Sequence, residues 1–158
     1  MAAKNKTVMD RKSDLELVVT RLFDGPAHIV FEAWSTPALF QRWWFPKSLS
    51  MPVRSCEMDI RTGGGYRIEF EMPDGGVMAF FGQYTEVTPP SKIVWTNEEA
   101  GAITVTTVTF QDQGGQTLLT FSELYPTKEA CDEAITGSAA GLPEQFEQLD
   151  GLLTELAA

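Results

Sequence analysis

From Leu15 to Leu124 apolar and polar residues alternate in short runs, and beyond Thr127 the spacing changes to steps of three and four. The first run, Leu15–Phe23, is β-branched and apolar and stops at Asp24-Gly25-Pro26, which marks a strand. Pro26 suits the first turn of a helix through Ala27–Trp34 ending near Ser35, and Thr36-Pro37 opens a second short helix that Pro46 stops. Strands are then expected at about Val53–Asp59, Gly65–Met72, Val77–Val87, Lys92–Asn97, Ile103–Gln111 and Thr117–Leu124. Gly63-Gly64-Gly65, Asp74-Gly75-Gly76, Pro89-Pro90, Gly101 and Gly114-Gly115 supply the turns. Connections this short require antiparallel neighbours, because a parallel pair needs a crossover of about a dozen residues. Tyr66, Ile68, Phe70 and Met72 share one face and Arg67, Glu69 and Glu71 the other, so one side of the sheet is packed and the other is wet.

The last segment supplies the cover. Ile135, Ala139, Leu142, Phe146, Leu149, Leu153 and Leu156 recur at steps of four, three, four, three, four and three, a helical stripe. Because the phase survives Pro143, one long helix from about Thr127 to Leu156, kinked near Pro143, is expected; the alternative is two helices with a turn at Gly137–Gly141. The order β-α-α-β-β-β-β-β-β-α then reads as an α+β helix-grip arrangement. A curved antiparallel sheet of about seven strands wraps around the C-terminal helix, and the two short helices plug one end. The stretch Met58–Thr96 becomes the floor of the structure and the last helix its roof. Residues 1–14 are expected to form a disordered tail, and 15–158 a single domain.

Charge and composition narrow the function classes. With 12 basic and 22 acidic residues the formal charge is −10, which argues against nucleic acid and against an anionic membrane surface. Cys56 and Cys131 make no disulfide framework and no C-x-x-C motif, so free thiols are expected. Residues 1–14 lack the apolar centre of a signal peptide, and no apolar run reaches the ~18 residues that span a bilayer; a cytoplasmic protein is the expectation.

Four segments together resemble the Activator of Heat-Shock-Protein-90 ATPase homologue family, a branch of the START-like (polyketide cyclase and lipid-transfer) superfamily. They are F-E-A-W-S-T-P-A-L-F-Q-R-W-W-F-P at Phe31–Pro46, D-I-R-T-G-G-G-Y-R at Asp59–Arg67, G-Q-Y-T-E-V-T-P-P-S-K-I-V-W-T at Gly82–Thr96, and the terminal Q-L-D-G-L-L. The resemblance implies the helix-grip fold with an internal cavity between sheet and helix. Members of the superfamily bind lipids, hormones or polyketides, and some catalyse cyclisation or dehydration. The chain departs from the family pattern at A-G-L-P-E-Q-F, where relatives often carry Gly-Trp after a methionine, so Leu142 and Pro143 bear on the cavity's shape.

Candidate chemistry is sparse. The lone His28 falls in a first helical turn, and H-E-x-x-H, paired-cysteine and G-x-S-x-G patterns are all missing. Gly63-Gly64-Gly65 lacks the Lys-Ser/Thr of a phosphate loop and leads into a strand. No catalytic set, metal site or cofactor is therefore assigned. Asp59 and Arg61, two apart at a strand end, are either a charged pair at the cavity mouth or an ion-pair clamp on the glycine corner. Trp43, Tyr66, Ile68, Phe70, Phe81, Trp95, Phe121, Leu142 and Phe146 are the candidate apolar contacts for a ligand. Gln83, in phase with Phe81, and Glu123, in phase with Leu119 and Phe121, join Asp59 and Arg61 as polar candidates.

Three functions compete. The leading expectation is binding of a small hydrophobic or amphipathic ligand between sheet and helix, because apolar inward faces occur without a catalytic constellation. The resemblance adds regulation of a heat-shock chaperone ATPase through protein contacts. The third is a cyclase or dehydratase that uses Asp59 or Glu123 as general base. A monomer, or a weak homodimer through the last helix, is expected.

Overall fold

The computed structural model describes residues 6–48, 52–98 and 102–157. Its first half runs β1 (Val8–Arg11), β2 (Glu16–Asp24), α1 (Ala27–Ser35), α2 (Pro37–Trp44), β3 (Val53–Met58), β4 (Gly65–Glu71) and β5 (Val77–Thr88). It continues with β6 (Lys92–Asn97), β7 (Thr104–Asp112), β8 (Gln116–Leu124), α3 (Lys128–Thr136), a 3-10 turn (Ser138–Gly141) and α4 (Leu142–Ala157). The strands form one antiparallel sheet in the order β1-β2-β8-β7-β6-β5-β4-β3. Gly101 and residues 1–5 of the expected tail lie outside the described residues.

The sheet has eight strands rather than seven, and the extra one comes from the expected disordered tail. β1 pairs Val8 with Thr20 through Arg11 with Leu17. An edge strand needs backbone partners more than an apolar face, which is why this polar segment gave no alternating signal. Met9 packs on the core, and Arg11 Nη1 donates to Asp132 Oδ1 of α3 at 2.7 Å.

Along β2 the residues Leu17, Val19, Arg21 and Phe23 are buried and their neighbours are not, so the strand presents one face inward. Leu119 and Phe121 of β8, Val108 and Phe110 of β7 and Ile93 of β6 extend that face. α1, α2 and α4 cover it. Trp34, Phe40, Trp43 and Phe146 interlock there, with the Trp34 and Trp43 rings 4.6 Å apart and Trp43 Nε1 donating to Ala33 O at 3.0 Å.

Sheet curvature concentrates at β5. Its first half, Val77–Gln83, pairs with β4, and its second half, Tyr84–Thr88, pairs with β6 across an irregularity between Tyr84 and Glu86. Gly82 permits the bend: a Cβ there would stand 1.8 Å from Thr96 O. Tyr66, opposite Gly82 on β4, reaches over the gap and donates its hydroxyl to Thr96 O at 2.7 Å. An aromatic ring thus covers the glycine that the bend requires.

The roof is not one kinked helix. α3 ends at Thr136, a 3-10 turn follows, and α4 begins at Leu142, so the break at Gly137–Gly141 replaces the expected kink at Pro143. Pro143 sits in the first turn of α4, where its missing N–H and fixed φ cost nothing. The stripe survives the break because the three-residue step from Ala139 to Leu142 matches the pitch of the 3-10 turn, and both side chains are buried. Leu142, Phe146, Leu149 and Leu153 are buried as the stripe predicts, whereas Leu156 is exposed and Ile135 only partly covered. Arg21 of β2, buried, pairs with Asp150 of α4 and ties helix to sheet.

Candidate functional site

A cavity of about 380 Å³ lies between the bent half of the sheet and the broken roof. Its floor is made by Tyr66, Ile68 and Phe70 of β4, Phe80 and Tyr84 of β5, and Ile93 and Trp95 of β6. Phe40, Trp44, Phe45 and Pro46 close one side with Trp34. Gly137, Ser138, Ala139, Gly141 and Leu142 form the roof, so the helix break borders the cavity. A continuous helix would have placed a regular wall there.

Few polar side chains line the cavity; Thr106, Glu123, Asn97 and Gln145 are among them. Glu123 Oε2 accepts from Thr106 Oγ1 at 2.8 Å, and Oε1 accepts from the Tyr125 hydroxyl. Burial pushes the Glu123 carboxyl above the usual carboxylate range, and the bonds from Tyr125 and Thr106 only partly oppose this. The Tyr84 phenol is also pushed up by burial, which keeps it neutral in the wall. Gln145 Nε2 donates to Trp44 O at 2.5 Å, fastening α4 to the end of α2. Trp34 Nε1 is buried without a hydrogen-bond partner, one of three such side-chain atoms among the described residues.

Of the residues expected from sequence, Tyr66, Ile68, Phe70, Trp95, Phe121, Leu142 and Glu123 line the cavity. Trp43 and Phe146 do not; both are fully buried core side chains behind the wall. Phe81 is on the opposite face of the sheet, 37% exposed, with the Arg67 guanidinium 5.6 Å from its ring centre. The register pairs Ile68 with Phe80 and Arg67 with Phe81, so Phe80 is the inward member of the pair. Gln83 shares the outer face with Phe81 and lies outside the cavity.

Asp59 and Arg61 are also outside it. Arg61 Nε donates to both carboxylate oxygens of Asp59, at 3.0 and 2.9 Å, in an exposed pair at the glycine corner. The corner itself is held by backbone bonds: Gly63 N donates to Tyr84 O and Tyr84 N to Gly64 O, both at 2.8 Å. A Cβ on Gly64 would lie 2.0 Å from Asp59 O, so only glycine fits. The pair is a clamp on the corner, and Asp59 is removed as a base for cavity chemistry. His28 is exposed on α1. Among the described residues no group of His, Cys, Asp or Glu is placed to hold a metal, and no helix is long and apolar enough to cross a membrane. Cys56 and Cys131 are free thiols.

The lining residues not anticipated had signals of different strength. Thr106 is in phase with the buried Val108 and Phe110, and Tyr84 is in phase with Phe80, so both were accessible from alternation. Trp34, Trp44 and Phe45 carry no such signal, because a helix buries aromatic residues on any side that meets another element.

The model of the family described as Activator of Hsp90 ATPase homolog 1-like protein matches residues 24–154. The chain belongs to that family. The family's fold carries through to solved structures. A Rhodobacter sphaeroides protein is 24% identical with a TM-score of 0.83, covering 96% of this chain and 99% of its own. A Mycobacterium smegmatis protein is 23% identical with a TM-score of 0.79, covering 95% and 99%. CalU16 from Micromonospora echinospora has 16% identity and a TM-score of 0.65, covering 97% and 93%. At these identities the likeness establishes the shared helix-grip fold and no activity. Among curated proteins none matches the chain significantly.

Proposed function

We propose that this family member binds a small, mainly apolar ligand in the cavity between sheet and roof. The observation that carries the reading is a 380 Å³ space walled mainly by aromatic side chains, with few polar groups among them. That size falls in the range of small-molecule sites, roughly 300–1,000 Å³. An apolar void this large, kept dry, would cost about 9 kcal/mol at ~24 cal/mol per Å³. The whole stability of a domain is only about 5–15 kcal/mol. Occupation by a ligand removes that cost, and the Thr106–Glu123 pair offers a polar anchor that fixes its orientation.

Native mass spectrometry of the purified protein, with thermal-shift screening of lipids and aromatic compounds, tests the reading. A bound adduct, or stabilisation near the 2.7 kcal/mol expected at about 100 times Kd, supports it. No adduct and no stabilisation across the screen argues against it. A role on a chaperone ATPase has only the family description behind it, and an unchanged ATPase rate with added protein would remove it.

A further inference from the structure

We propose that the cavity selects its ligand by charge and takes an amphipathic organic amine, its ammonium group lying over Thr106 between the Glu123 carboxylate and the Trp95 indole. This rests on the cavity-binding reading and specifies the ligand class. Register supplies the geometry. Tyr84 is opposite Trp95, Trp95 opposite Thr106, Thr106 opposite Glu123 and Glu123 opposite Leu17, so these residues form one row across the inner face. Strands lie about 4.8 Å apart, which sets Glu123 and Trp95 roughly 10 Å from each other along that row. In that row only the small Thr106 side chain stands between them, and all three line the cavity.

Charge supplies the selection. Glu123 is the one carboxylate among the described residues lining the cavity, and no lysine, arginine or histidine lines it. Thr106 and Tyr125 donate hydrogen bonds to Glu123 but bring no positive charge. A carboxylate offers about four acceptor sites, so about two remain for a ligand. Burial alone drives this carboxyl toward its neutral form, and a cation delivered by the ligand reverses that cause. The opposite wall is an aromatic cluster: the Trp95 ring centre lies 6.0 Å from Trp34, tilted, and 6.1 Å from Phe121, edge to face. Aromatic faces attract a desolvated ammonium and repel a carboxylate. An anionic amphiphile, such as a fatty acid, would bring a like charge next to Glu123 where water cannot screen it.

The test uses three probes of one skeleton: 4-phenylbutylamine, 4-phenylbutanol and 4-phenylbutyrate, titrated by calorimetry into the full chain and into E123Q. The amine is expected to bind at least about tenfold more tightly than the alcohol, with the acid weakest. In E123Q the amine's advantage over the alcohol should vanish while alcohol binding persists, which also certifies the variant's fold. Equal or tighter binding of the acid, or an undiminished amine preference in E123Q, would overturn the inference and leave cavity binding standing. If none of the three binds, the inference falls, and the cavity-binding reading is decided by native mass spectrometry and the wider ligand screen. Should E123Q not fold, the amine-to-acid ratio of the unmutated protein decides alone.

Discussion

Removing Asp150 should cost far more than removing the arginine it faces. Arg21 is 1% exposed at its side chain and Asp150 is 32% exposed. In Asp150→Ala the guanidinium stays between sheet and helix with its charge uncompensated, and its Nε and Nη1 already have no partner. Breaking a buried pair from one side costs about 3–5 kcal/mol, and the partial exposure of Asp150 places this case at the lower end, about 3 kcal/mol. Arg21→Met removes the buried charge and two unpaired donors, and leaves a carboxylate that water can reach. It forfeits the stacking of the guanidinium on Phe23, 5.0 Å away, worth about 2 kcal/mol in a desolvated site, which the relief of the buried charge and its two unpaired donors offsets. Its net effect should stay within about 1 kcal/mol, and the double variant should resemble it. Urea unfolding at constant m separates the three proteins, and D150A should also melt roughly 6–12 °C lower. Equal costs for the two single variants, or a D150A cost under about 1 kcal/mol, would refute the assignment of a buried, one-sidedly solvated pair.

Two further outcomes follow from the same geometry. The folded-state carboxyl of Glu123 is raised above its unfolded value, so its contribution to stability is fully present below the ordinary carboxylate range and is lost as pH rises through the folded value. The melting temperature of E123Q minus that of the unmutated protein should therefore increase from pH 4 to pH 8, and a flat or falling difference would contradict a buried Glu123. Gly82→Ala places a methyl 1.8 Å from the Thr96 carbonyl oxygen, which is backbone and cannot step aside. It should cost about 3 kcal/mol or more by forcing β5 from β6, and a variant as stable as the parent by chemical denaturation would show the bend lies elsewhere.

Much of this architecture was legible in the residues. Strand positions followed from alternation bounded by glycine and proline, since a half-buried strand must place successive side chains on opposite sides. The stripe Leu142, Phe146, Leu149 and Leu153 fixed which face of the last helix is buried. Other features had no local signal. β1 is held by backbone pairing with β2, to which sequence polarity is blind. The break after Thr136 was masked because a 3-10 turn and an α-helix both allow a step of three from Ala139 to Leu142.

By itself the sequence determined the elements, their order and the amphipathic face of most of them, because those depend on periodicity within one segment. It also determined that the chain is acidic. Only the tertiary structure decided which of the candidate side chains make the cavity wall and which do not. Phe80 and Phe81 are equivalent in composition, and the pairing of Ile68 with Phe80 alone sends one inward and the other out beside Arg67. Glu123 and Thr106 are 17 residues apart and become neighbours through the register of β7 on β8. Asp59 and Arg61, two apart on the chain and prominent in it, close on each other outside the cavity instead. Which side chains share a site depends on cross-strand register and on where the sheet bends, and both are properties of paired backbones rather than of any one segment.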